Sequence, residues 1–88
     1  MPLDEILMIG LRRREGVHFE EVAKHVGWTQ TECDKNLKSL EKYWQTFLKE
    51  GYLLNKNGRY FLSDPKGMQI SNQILIQMFL WWDSLKLD

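Results

Sequence analysis

The sequence predicts a mainly α domain carrying one small β-hairpin, and three observations lead there. Apolar residues recur every three or four positions through Leu3 to Leu11, Phe19 to Val26, Cys33 to Phe47 and Met68 to Trp82, the period of amphipathic helices. Between Gly51 and Ser63 that period gives way to two short aliphatic and aromatic runs flanking Asn55-Lys56-Asn57-Gly58, a hairpin signal. A chain of 88 residues holds one modest core and no second domain.

The first helix is expected over about Leu3 to Arg13, with Pro2 at its start and Asp4 and Glu5 in its first turn, where carboxylates suit the positive end of the helix dipole. A short second helix spans about His18 to Val26, and Gly27 stands where a left-handed carboxyl cap would end it. Thr29 and Glu32 have capping-box spacing. From there Cys33, Leu37, Leu40, Trp44 and Phe47 form one stripe along a third helix of about five turns, ending at Gly51. The hairpin pairs Tyr52-Leu53-Leu54 with Arg59-Tyr60-Phe61-Leu62. Ser63 or Asp64 can then cap a closing helix whose first turn holds Pro65, with Met68, Ser71, Ile74, Leu75, Met78, Phe79 and Trp82 on its buried side. Trp81 and Trp82 point about 100° apart on a helix, so one of them is expected at the surface. A hairpin is marginal alone and must pack on the helices. Three helices, a wing-like hairpin and a closing helix make a winged-helix-like domain spanning residues 1–88, and its second and third helices match a helix-turn-helix.

Composition narrows the function. Lys plus Arg equals Asp plus Glu at twelve each, so the basic excess that captures phosphate backbones or anionic membranes is missing. On the third helix Lys35, Lys38, Lys42 and Lys49 alternate with Glu32, Asp34, Glu41 and Glu50, a pattern that suits a solvated face. Nucleic-acid binding through that helix is therefore the second reading. The lone Cys33 excludes an internal disulfide and a multi-cysteine metal site; it reads as a core residue, and a reducing cytoplasm is the expected compartment. His18 and His25 lie about 10 Å apart along a helix and read as surface or capping residues. No phosphate-binding glycine loop or serine nucleophile motif is present. The apolar run Ile74 to Trp82 is too short to span a bilayer.

Arg12, Arg13 and Arg14 follow the first helix, where exposed cations complement the helix dipole at a few tenths to about one kcal/mol each. The whole stretch, Glu5, Ile6 to Ile9, Gly10-Leu11-Arg12 and Gly16-Val17, resembles the start of the carboxyl-terminal domain of oxygen-independent coproporphyrinogen III oxidase-like radical-SAM proteins, the HemN family with its haem-chaperone relative HemW. The resemblance runs more loosely through the third helix, Gly51-Tyr52-Leu53, the hairpin and Leu62-Ser63-Asp64-Pro65-Lys66-Gly67. It implies that this chain is part of a longer protein and packs on an amino-terminal radical-SAM barrel. That barrel would hold an iron-sulfur cluster through a Cys-x-x-x-Cys-x-x-Cys motif, together with S-adenosylmethionine. Neither cofactor and no catalytic residue is expected in this domain, which lacks the motif.

The resemblance further implies that Gly10, Leu11, Arg12 and Gly16 belong to an interdomain contact near the porphyrin or haem region. Of these, Arg12 is expected to bridge to the barrel in preference to meeting a porphyrin carboxylate. An aliphatic residue often follows Gly10-Leu11-Arg12 in the family, so Arg13 and Arg14 depart from its pattern. The oxidase and haem-chaperone branches both remain open.

Overall fold

The computed structural model describes residues 2–86. Helix α1 (Leu3–Leu11) is followed by strand β1 (Val17–His18), helices α2 (Phe19–His25), α3 (Gln30–Tyr43) and α4 (Gln45–Glu50), strands β2 (Leu53–Lys56) and β3 (Arg59–Leu62), and helices α5 (Lys66–Gln69) and α6 (Ser71–Leu85). The strands make one antiparallel sheet in the order β1-β3-β2. The molecule is thus mostly helical with a small three-stranded sheet. No helix among the described residues is long and apolar enough to cross a membrane.

Local signals explain most boundaries. The Thr29 hydroxyl accepts from the Glu32 N–H at 3.1 Å while the Glu32 carboxylate accepts from the Thr29 N–H at 3.0 Å. That reciprocal cap starts α3, and the Thr29 bonds hold the Glu32 carboxyl below the usual range. Gly27 (φ +97°) and Gly51 (φ +80°) take the left-handed conformation just past α2 and at the end of α4. The hairpin turn is tighter than the expected tetrapeptide. Lys56 pairs with Arg59, leaving Asn57 and Gly58, both at positive φ, as a two-residue turn that follows the strand twist.

Four expectations need correction. The first helix ends at Leu11, short of Arg13, because the N–H of Arg13 turns back to the Gly10 carbonyl. The third helix is not continuous: Trp44, at ψ 2°, separates α3 from α4. Its indole N–H donates to the Ile74 carbonyl on α6 at 3.1 Å, so the break anchors one helix on another. The closing helix is likewise two, divided at Ile70, and Ser63 sets up the first piece by accepting from the Gly67 N–H at 3.0 Å. Within α6 the buried side is Ile74, Leu75, Met78 and Trp81, whereas Phe79 and Trp82 are only half-buried. Strand β1 was not expected at all; two residues are too few to display an alternating pattern.

The core joins Leu3, Leu7 and Leu11 of α1, Cys33 and Leu40 of α3, Trp44, Leu53, Tyr60 and Leu62 of the hairpin, and the buried face of α6. Leu37 and Phe47 pack against its edge, half-buried. The Trp81 indole N–H donates to the Asn36 carbonyl at 3.2 Å, so both fully buried tryptophans satisfy their only donor. Burial, then the charges of Glu20 and Asp34, push the Cys33 thiol up, which keeps it protonated and in its packing role.

Candidate functional site

The site is built from the stretch Glu5 to Val17 folding back on itself. On α1 the residues Leu3, Leu7 and Leu11 take the core face. The positions between them, Ile6, Ile9 and Gly10, with Arg13 one turn further on, form a second face turned outward. Val17 lies against that face: a Cβ at Gly10 would come within 2.7 Å of the Val17 Cβ. Gly10 is therefore the residue that lets helix and strand approach so closely. Gly16 is constrained twice. Its φ is +74°, and an added Cβ would collide with the backbone carbonyl of Tyr60.

These contacts hold β1 in register with β3, Val17 opposite Tyr60 and His18 opposite Arg59. The second pair places an imidazole and a guanidinium side by side on one face of the sheet. His18 also begins α2, its Nδ1 accepting from the Glu21 N–H at 3.4 Å. Arg59 donates to the Glu15 carbonyl at 3.5 Å.

Between α1, β1, α2 and this end of β3 lies a cleft of about 420 Å³. Ile6, Ile9, Val17 and Val22 supply its apolar lining together with Gly10 and Gly16, and Arg13, His18, Glu21 and Arg59 its polar lining. Neither Arg13 nor Arg59 is in an ion pair among the described residues; Arg14 instead reaches Asp64 at 3.8 Å with both side chains largely exposed. The arrangement offers apolar surface under a partly cationic edge, which can take a ligand or segment that is apolar in its body and negative at one end.

Of the residues named from sequence, Gly10 and Gly16 line this cleft, and both also serve packing inside the domain. Leu11 is fully enclosed in the core and has no surface to offer a neighbour. Arg12 is exposed, caps the end of α1 and stands outside the cleft. Arg13, His18 and Arg59 were missed as site residues. The spacing Ile6, Ile9, Arg13 carried the signal for the first, since three- and four-residue steps lie on one helical face. Nothing in the sequence could place Arg59 beside them, because that requires the pairing of β1 with β3.

A second, shallower hollow of about 470 Å³ lies on the outer side of α3, lined by Lys38, Glu41, Lys42, Gln45 and Leu48. Glu41 is engaged there by the Tyr60 hydroxyl, which donates to it at 2.9 Å. Among the described residues, no group of three or more His, Cys, Asp or Glu is placed to hold a metal ion. Comparison of the chain with models of protein families, with curated proteins and with solved structures finds no match.

Proposed function

We propose that this chain is a noncatalytic, winged-helix-like accessory domain of a cytoplasmic radical-SAM protein, either of the coproporphyrinogen III oxidase-like type or a haem chaperone, and that it packs on the catalytic barrel and helps cover the porphyrin or haem region. The observation that carries the reading is the coincidence of two properties in Glu5 to Val17. The stretch with the most specific resemblance supplies six of the ten residues lining the cleft: Ile6, Ile9, Gly10, Arg13, Gly16 and Val17. Five of these carry the resemblance, the sixth, Arg13, departs from the family pattern, and Gly10, Gly16 and Val17 also serve packing inside the domain. The order of helix, strand, three helices, hairpin and two helices also supports a winged-helix arrangement.

Two measurements test it. Reading the coding sequence upstream of Met1 should reveal a Cys-x-x-x-Cys-x-x-Cys barrel; an unrelated upstream frame would remove the basis of the proposal. With that barrel expressed separately, this chain should bind it, and Arg12→Ala should weaken the association after folding has been verified by circular dichroism. A partly buried guanidinium contact contributes roughly 1.5 to 3 kcal/mol.

One feature favours a second reading, a nucleic-acid-binding module. Helices α2 and α3 are joined by a short turn through Gly27, and α3 exposes Lys35, Lys38 and Lys42. Its electrostatic support is weak, since Asp34 is also exposed on that helix. Duplex titrations at physiological salt should show only weak, salt-sensitive association. Nanomolar, sequence-selected binding lost on Lys38→Ala would favour this reading instead.

A further inference from the structure

We propose that the cleft between α1, α2 and the Arg59 end of β3 binds a small amphipathic monocarboxylate, its apolar body on Ile6, Ile9 and Val22 and its carboxylate between Arg13 and Arg59. The inference goes beyond the accessory-domain reading, because it concerns this chain alone and needs no barrel.

Size and surface come first. A cleft of about 420 Å³ falls within the range of small-molecule sites. Its apolar wall is incompletely covered: Ile9 is 40% exposed, one of four large apolar side chains left so open to water among the described residues.

Charge selects the ligand. Arg13 and Arg59 reach the cleft from a turn and from a strand, and among the described residues Glu21 is the only carboxylate lining it. Two guanidinium groups against one carboxylate leave a single positive charge, which one ligand carboxylate neutralises. A guanidinium accepts such a group in a planar two-bond fork. An alcohol would gain the apolar wall without the guanidinium pair, and an amine would be repelled by it.

The walls are also fixed before any ligand arrives. Val17 seats against Gly10, and Gly16 against the Tyr60 backbone, so α1 cannot slide on the sheet without breaking the β1–β3 pairing. Preorganisation of this kind lowers the ordering cost of binding.

The test is a titration of the 15N-labelled 88-residue chain with decanoate below its micelle concentration, beside decan-1-ol and decylamine. Saturable shifts should appear at Gly10, Gly16, Val17 and Val22, with decanoate binding at least about fivefold more tightly than either control. Arg13→Gln and Arg59→Gln should each weaken decanoate about threefold or more, as expected for partly exposed charged contacts, while Arg12→Gln leaves it unchanged. Both arginines are exposed, so the variants fold, and the comparison of three head groups on the unaltered chain needs no variant. Equal affinity for decanoate and decan-1-ol, shifts centred away from the cleft, or indifference to both substitutions would overturn the proposal. An acidic, leucine-rich peptide that displaces decanoate at lower concentration would reassign the cleft to a protein segment and overturn it equally.

Discussion

Tyr60 divides the molecule into two regions made in different ways. Toward the helices, its ring packs on Trp44 with centroids 5.6 Å apart, and beyond Trp44 the core continues through Ile74 to α6. At a further end Phe19, Trp28 and Trp81 meet edge to face, and Trp82 stacks on Trp28 at 12°. Toward α1, the Tyr60 backbone lies against Gly16, and Gly10 meets Val17. The first region excludes water by filling space with large side chains, which dominates the stability of small domains. The second brings backbones together by omitting side chains, and what it leaves between them is a cleft with charged edges. Aromatic packing is concentrated on one side of β3, and the cleft lies on the other.

If that division holds, the largest loss should follow from emptying the aromatic side. Trp44→Ala removes a fully buried ring and its bond to Ile74; about 3 to 5 kcal/mol is expected from the cavity and lost burial, read as a lower urea midpoint. Leu40→Ala, also fully buried, should cost about 2 to 5 kcal/mol. A loss below about half a kcal/mol at either position, typical of exposed sites, would remove it from the core.

On the glycine side, adding one methyl group should be nearly as damaging as removing a ring. Gly16→Ala forces a Cβ into left-handed backbone, at about 1 to 2 kcal/mol, and against the Tyr60 carbonyl, at about 1 to 3 kcal/mol of overpacking. Urea unfolding should therefore show about 2 to 5 kcal/mol. A neutral outcome would mean that β1 can leave β3 without consequence.

Gly10→Ala is a milder case because Gly10 sits in a helix, where alanine gains about 1 kcal/mol in propensity. The opposing clash is with a side chain, Val17, so the net loss should be about 1 kcal/mol. Here the decisive measurement is a double-mutant cycle. With Val17→Gly present, which removes the Cβ that the added methyl would meet, Gly10→Ala should become neutral or stabilising, and strict additivity of the two losses would show that they do not touch.

How much of this was legible in the sequence follows the same division. The aromatic side announces itself through periodicity: Leu40, Trp44, Ile74 and Met78 are all readable from helical spacing and all are buried. The Thr29 and Glu32 cap and the hairpin were legible because short polar side chains and glycine have few other uses there. Periodicity failed where a helix breaks for a tertiary reason, as at Trp44, and in the last turn of α6, where Trp81 is buried and Trp82 only half-buried. It says least about the cleft. Gly10 and Gly16 were noticed as a motif, but their purpose depends on Val17 and Tyr60, and Arg59 comes from 43 positions beyond Gly16 along the chain.

Tyr60 itself offers a smaller, pH-dependent probe of the boundary. Burial, then its hydrogen bond to the Glu41 carboxylate and that group's charge, push the Tyr60 hydroxyl well above its ordinary value. Unfolded tyrosine ionises near about pH 10, whereas the folded hydroxyl keeps its proton there. Its stabilising contribution is thus complete below about pH 10 and is lost as pH rises past it, because the unfolded chain releases the proton first. Tyr60→Phe should flatten that part of the stability profile relative to wild type, at a cost near neutral pH of about 0.5 to 1.5 kcal/mol for the lost bond. Parallel profiles for the two proteins between pH 9 and 11, a window set around the ordinary tyrosine value, would show that Tyr60 is not held in this way.

The smallest effects on stability should come from the three consecutive arginines, which is where the division between the two regions is tested most sharply. All are exposed. Arg14 alone has an ion-pair partner among the described residues, and that pair spans 3.8 Å between side chains 90% and 63% exposed, so salt and solvent screen most of it. Arg12→Ala, Arg13→Ala and Arg14→Ala should each change unfolding free energy by no more than about 0.5 kcal/mol. Their binding effects should separate by position instead: Arg13, facing the cleft, governs decanoate, and Arg12, outside it, governs association with a barrel. Measuring stability and both affinities for the three variants gives a pattern that a purely structural role cannot produce. If any one substitution costs more than about 1 kcal/mol of stability, beyond what an exposed pair supplies, the arginines belong to the packed side of the molecule and their place at the cleft is incidental.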